Sequence, residues 1–139
     1  MDVRAQEGEI QTAILIPKES YENCFGKYIK YGMRNAMEIA SLGCSVNVRL
    51  SPDKKYIRRC RIAYGVAGPV PMRVPSAEAV ANGERPTRTM IDAFAEAVLL
   101  DINPRDSWRA SKAFRQHIAV EMARRALTEA IQRAGGVIE

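Results

Sequence analysis

Two alternating apolar runs joined by a turn leave this chain few folds to choose from. Within residues 42–50, Leu42, Cys44, Val46, Val48 and Leu50 fall on one side, with Gly43, Ser45, Asn47 and Arg49 on the other. Successive side chains of a strand point to opposite faces, so this pattern predicts one dry and one wet face. Ser51-Pro52-Asp53-Lys54-Lys55 is turn chemistry: proline fixes φ and aspartate bonds the backbone ahead. Tyr56 to Val66 then alternates again, with Cys60, Ile62, Tyr64 and Val66 opposite Arg59, Arg61 and Ala63. The pair predicts an antiparallel hairpin whose dry face needs a cover.

Two further runs extend the sheet. Ile10, Thr12, Ile14 and Ile16 alternate with Gln11, Ala13 and Leu15 up to Pro17, and FGKYIKY (25–31) alternates with strong β propensity. After the Gly- and Pro-rich stretch 65–75, the period changes to that of helices. Ser76 is the expected N-cap of a short helix stopped by Gly83, and Thr89 to Asp92 has capping-box spacing. Ala110, Phe114, Ile118, Met122, Ala126 and Ala130 stripe one face of a long last helix that ends at Gly135-Gly136. The expected fold is α+β: a three- to four-stranded antiparallel sheet packed on one face by three helices. It reads as a single domain over 1–139, with the sheet in 9–66, a linker at 67–75 and helices in 76–134.

Composition removes several classes of function. The opening MDVRAQEGE is polar, unlike a signal peptide, and no run approaches the ~20 apolar residues of a membrane span. A cytoplasmic location is the resulting expectation. Cys24, Cys44 and Cys60 are odd in number and widely spaced, which disfavours a disulfide framework or a zinc site; the lone His117 adds no metal cluster. The net charge of +5 is dispersed among carboxylates without interleaved aromatics, so nucleic-acid binding is not expected. Ser107 and Ser111 sit near helix starts and read as caps, and Asp101 and Asp106 as turn and capping residues. No catalytic constellation emerges. Prolines at 69 and 71 also keep the Gly65–Gly68 stretch from opening into an anion-binding helix.

Four colinear segments carry a resemblance. YIKYGMRNAMEIA (28–40) is similar to a signature of the flavoprotein subunits and domains of molybdenum hydroxylases, which include xanthine dehydrogenase and aerobic-type carbon monoxide dehydrogenase. The matching positions are Tyr28, Lys30, Arg34, Glu38 and Ala40, with Glu38 standing where the family often has aspartate. GEIQTAILIP (8–17), RIAYGVAGPVPMRVPSAEA (61–79) and DSWRASKAFRQHIAVEMARRAL (106–127) resemble further family segments in the same order.

The resemblance implies the C-terminal domain of an FAD-binding subunit, part of an oxidoreductase complex and not competent alone. It also implies partners: subunits holding the molybdenum cofactor and iron–sulfur clusters, and a preceding FAD pyrophosphate-binding domain, which this sequence lacks. Electrons would pass from iron–sulfur clusters to FAD and on to NAD. The family places the backbone of Ile10 and Gln11 along the cofactor, the Lys30 ammonium toward the flavin or its phosphates, and Arg34 in the loop beside it. Arg73, Arg109 and Arg115 also match family positions and read as structural. The alternative is a non-catalytic interaction or oligomerisation module derived from that domain.

Overall fold

The computed structural model describes residues 7–139, so the first six residues of the polar opening stretch lie outside the described part. Strands β1 (Phe25–Tyr31), β2 (Leu42–Leu50), β3 (Ile57–Gly65) and β4 (Met72–Arg73) form one sheet in the order β1-β2-β3-β4. Every pairing is antiparallel. Helices α1 (Pro75–Ala81), α2 (Arg88–Ala97) and α3 (Lys112–Arg133) follow. The expected α+β architecture is the observed one.

The hairpin register explains the core. Cys44 pairs with Tyr64, Val46 with Ile62 and Val48 with Cys60, and all six side chains are buried. Across β1 the same face carries Ile29, Lys27 and Phe25. Helix α3 lies over β1 and β2, while α1 covers β3 and α2 packs between α1 and α3. Ala119, Ala123, Ala126 and Ala130 are fully buried along α3. Their small side chains let the helix backbone sit close to the sheet, while Leu127 and Ile131 fill the space between. Each fully buried Leu, Ile or Val contributes roughly 1.5–3 kcal/mol of transfer free energy. The Tyr64 hydroxyl, carried into this core, donates to the carbonyl of Ala119 at 2.6 Å, so its burial leaves no orphan donor.

Several local expectations change. Residues 10–16 form no strand: they lie exposed, and no ladder pairs them among the described residues. Alternation reports that a segment can bury one face, but a strand also needs a free sheet edge beside it. Val66 leaves the dry face because its φ of 70° turns the chain out of β3. The 67–75 stretch is not wholly irregular, since Met72–Arg73 pairs with β3. Helix α1 starts at Pro75, with Val74 at the cap position; the Ser76 amide and hydroxyl instead donate to Asp101 at 2.9 and 3.0 Å. Thr87, not Thr89, caps α2 by accepting from the Met90 amide. Asp92 pairs with Arg124 at 2.7 Å and plays no part in a capping box. Ser111 caps α3 as expected. No helix among the described residues is long and apolar enough to cross a membrane.

Candidate functional site

Helices cover only one face of the sheet, and the other face collects polar residues. Register places Lys30, Gly43 and Gly65 in one row across it. Tyr28, Ser45, Ala63 and Arg73 form the next row, followed by Gly26, Asn47 and Arg61. Between Lys30, Tyr28 and Arg73 the floor is therefore built of residues with little or no side chain. Tyr28 is 60% exposed, and its ring lies over Gly43, where an added Cβ would come within 2.9 Å of the hydroxyl. At Gly65 an added Cβ would meet open space.

At one end of this face, β1 runs into a loop that returns to β2, closed by the Ser41 amide donating to the Tyr31 carbonyl at 2.8 Å. The loop folds around its own polar groups. Lys30 Nζ donates to the Glu38 carbonyl at 2.5 Å, and Arg34 Nη2 to the Met37 carbonyl at 3.1 Å. The Arg34 amide donates to the Glu38 carboxylate. That hydrogen bond is the largest influence holding the Glu38 carboxyl below its ordinary pKa, and the Arg34 and Lys30 charges add to it. Gly32 leaves room for the Glu38 carboxylate: a Cβ there would stand 2.6 Å from Oε2 and push that side chain aside. Lys30, Tyr31, Gly32, Arg34, Asn35, Ala36 and Glu38 line a cleft of about 320 Å³.

Lys30 and Arg34 thus come together in one loop. Both use main-chain carbonyls of the loop as acceptors, while the Glu38 carboxylate beside them feels both charges. Ile10 and Gln11 are not brought to them: among the described residues no hydrogen bond links either one to the loop. Tyr28 is the residue that sequence reasoning left out of the site. Its signal was available, because two residues before Lys30 on a strand means the same face.

The three arginines read as structural differ in what they hold. Arg73 forms a two-pronged pair with Glu78 at 2.6 and 2.5 Å. Arg109 stacks on the exposed Trp108 ring at 4.4 Å. Arg115 is buried and donates to the carbonyls of Ser41 and Arg105 and to the Ser107 hydroxyl, which ties the end of the Lys30 loop to α3.

The sequence profile of the CO dehydrogenase flavoprotein C-terminal domain matches residues 27–130. A putative xanthine dehydrogenase FAD-binding subunit of Escherichia coli strain K12 is 37% identical over 137 residues, covering 99% of this chain and 46% of that protein. The xanthine dehydrogenase FAD-binding subunit of E. coli O157:H7 matches with the same figures. The chain therefore spans about half the length of the curated relatives it matches. Among solved structures, the carbon monoxide dehydrogenase of Hydrogenophaga pseudoflava lacking the Mo-pyranopterin moiety superposes with a TM-score of 0.74 at 27% identity. That match covers 81% of this chain and 38% of the other. Quinoline 2-oxidoreductase from Pseudomonas putida 86 shares the fold, with a TM-score of 0.73 at 18% identity over 80% of this chain and 38% of that one. The chain belongs to the CO dehydrogenase flavoprotein C-terminal domain family.

Proposed function

We propose that this domain forms one wall of a flavin site in a xanthine dehydrogenase-like molybdenum hydroxylase. In this reading the FAD pyrophosphate is held mainly by a separate glycine-rich domain. The molybdenum cofactor and iron–sulfur clusters belong to partner subunits. The observation that carries the reading is that Lys30 and exposed Tyr28 stand on the same sheet face, over a floor of Gly43, Ser45, Ala63 and Gly65.

The residues present fit a flavin. A floor with little side chain accepts a planar ring at close range, and an exposed tyrosine offers a face or edge for it to lie against. Anionic phosphates and an electron-rich ring favour fixed cations, which Lys30 and Arg34 supply in a loop that orients both. Glu38 serves that loop by holding the Arg34 amide. The backbone of Ile10 and Gln11, exposed and without ladder partners among the described residues, would be free to lie along the cofactor in this arrangement. Bound FAD supplies electron transfer between the iron–sulfur clusters and NAD or another acceptor. This chain's share of the work is to bind, orient and shield one side of it, in the cytoplasm.

A second reading has its own observation. Ile10, Ile14, Leu15 and Ile16 are 62–89% exposed on one short segment, the kind of surface that marks an interaction module. One experiment separates the two. Co-expression with the glycine-rich FAD domain of a matching subunit is expected to give a yellow complex, while the chain alone stays colourless. Within that complex Lys30→Ala is expected to weaken FAD retention about tenfold, one charge-assisted bond of roughly 1.5 kcal/mol. A colourless, non-associating pair, with the chain alone self-associating in light scattering, overturns the flavin reading in favour of the module.

A further inference from the structure

Residues 10–16 carry the chemistry of a strand with no sheet to join. The run holds no charged side chain, every residue in it is exposed, and no main-chain hydrogen bond reaches it among the described residues. An extended run of this kind presents bare N–H and C=O groups along both edges. Proteins blunt such edges with charge, with proline or with a cover. Here Pro17 comes only at the end, and Glu9 and Lys18 only flank the run. That leaves a cover.

This domain's own sheet does not supply it. Along the outer edge of β3 the Cys60 amide donates to the Asn82 side chain at 2.6 Å and the Ile62 amide to the Glu78 carboxylate at 3.1 Å. Those donors are therefore closed to a new strand. The connection that follows the run is also held away from β1, the strand at the other edge. Arg59 donates to the Glu19 carbonyl and Arg61 to the Ser20 hydroxyl at 3.3 Å, both from β3, two strands in from β1. Arg61 shares the helix-free face with Tyr28 and Lys30, so the run leaves the domain beside that face.

The place of the run within the family indicates what covers it. The profile of the C-terminal domain starts at residue 27, beyond the run. The identity with the curated relatives extends over 137 residues, 99% of this chain, and so passes through it. This chain covers 46% of those relatives. A segment shared with the longer proteins but outside the C-terminal domain packs with what lies in their other half.

We infer that residues 10–16 dock as an added strand on the open sheet edge of a partner domain, the counterpart of the half of its relatives that this chain does not span. In strand addition, main-chain hydrogen bonds give affinity and alternate side chains give specificity. Ile10, Ile14 and Ile16 fall on one side and Ala13 and Leu15 on the other, which suits a sheet covered on both faces. The inference rests on family membership and on the exposed run, not on the flavin reading.

The test is amide hydrogen exchange, read by mass spectrometry, on the chain alone and on the chain co-expressed with the glycine-rich domain of a matching subunit. Exchange over 10–16 is expected to be fast in the chain alone and about a hundredfold slower or more in the pair. Thr12→Pro and Ala13→Pro remove amides that point to opposite edges of a strand, so one of them deletes a ladder bond. That variant should weaken the pair by about tenfold or more, and both should keep the melting temperature of the free chain. Fast exchange over 10–16 in a stable pair overturns the inference, as do full affinity in both proline variants or a pair that does not form. Protection that rises with concentration in the chain alone assigns the strand to a second copy and overturns it too. A protected strand in a pair that takes up no FAD leaves the inference standing and removes the flavin reading. An unprotected strand in a yellow pair does the reverse.

Discussion

Arg115 offers the sharpest test of how the Lys30 loop is held. Its side chain is among the largest fully buried ones of the described residues, at 2% exposure, and none of their carboxylates pairs with it. Instead Nε donates to the Ser41 carbonyl at 3.1 Å, Nη1 to the Arg105 carbonyl and Nη2 to the Ser107 hydroxyl at 2.6 Å. Substituting methionine strands these acceptors in a place water does not reach. Three bonds from a charged donor, at roughly 1.5–3 kcal/mol each, set an upper limit of about 9 kcal/mol. Most of that is offset because burying a guanidinium itself costs several kcal/mol. A net loss of about 3 kcal/mol is expected for Arg115→Met, or roughly 10 °C in melting temperature for a domain of this size. Urea unfolding followed by circular dichroism gives the first number. Arg115→Lys should recover less than half of it, since one ammonium cannot serve three acceptors in a fixed fork. Hydrogen exchange at the Ser41 amide, which bonds the Tyr31 carbonyl, should speed up in both variants. A methionine variant within 1 kcal/mol of the parent, with unchanged exchange at Ser41, would refute the clamp.

Two further expectations concern titratable groups. Burial pushes the Cys44 thiol up to about 12 and raises the Cys60 thiol as well, whereas Cys24 is only partly covered. A thiol reagent at neutral pH should therefore label one of three cysteines in the native chain and all three in denaturant; rapid labelling of Cys44 or Cys60 would contradict the packing. Glu129 is held below its ordinary pKa of 4.5 chiefly by the hydrogen bond from Lys27, which ties β1 to α3. Because its folded pKa is the lower one, its contribution is fully present above 4.5 and fades as pH falls through the folded value. The melting temperature should drop more steeply between about pH 5 and 3 in the parent than in Glu129→Gln, and equal slopes would remove this pair from the acid limb.

The site was only partly legible. Tyr28, Lys30 and Arg34 stand in a recognisable pattern, and period two alone puts Tyr28 and Lys30 on one face. What the pattern did not show is that Arg34 and Lys30 spend their donors on the carbonyls of their own loop, or that a side chain at Gly32 would crowd the Glu38 carboxylate that accepts from the Arg34 amide. Those depend on how the loop closes, and closure depends on Ser41 being held by Arg115 from α3. Likewise Ser76 and Thr89 carry good capping chemistry, yet neither caps its helix. Asp101 arrives from 25 residues away to hold Ser76, and the chain enters α2 one residue earlier than Arg88, at Thr87.

The sequence by itself determined the central hairpin and which of its faces is dry. The alternation in 42–50 and 57–65 and the turn between them act over a few residues; of the stripe expected on α3, Ile118, Met122, Ala126 and Ala130 are buried, whereas Phe114 is 40% exposed and Ala110 precedes the helix. Only the tertiary structure decided the fate of residues 10–16, which alternate as well as any strand in the molecule and stay exposed. It also decided that a bulge leaves Arg58 outside the regular ladder, and that one buried arginine ties the Lys30 loop to a helix more than seventy residues on. The physical reason is common to all three. Hydrophobic pattern is a property of a segment, whereas a ladder partner, a bulge and a buried acceptor are supplied by neighbours far along the chain.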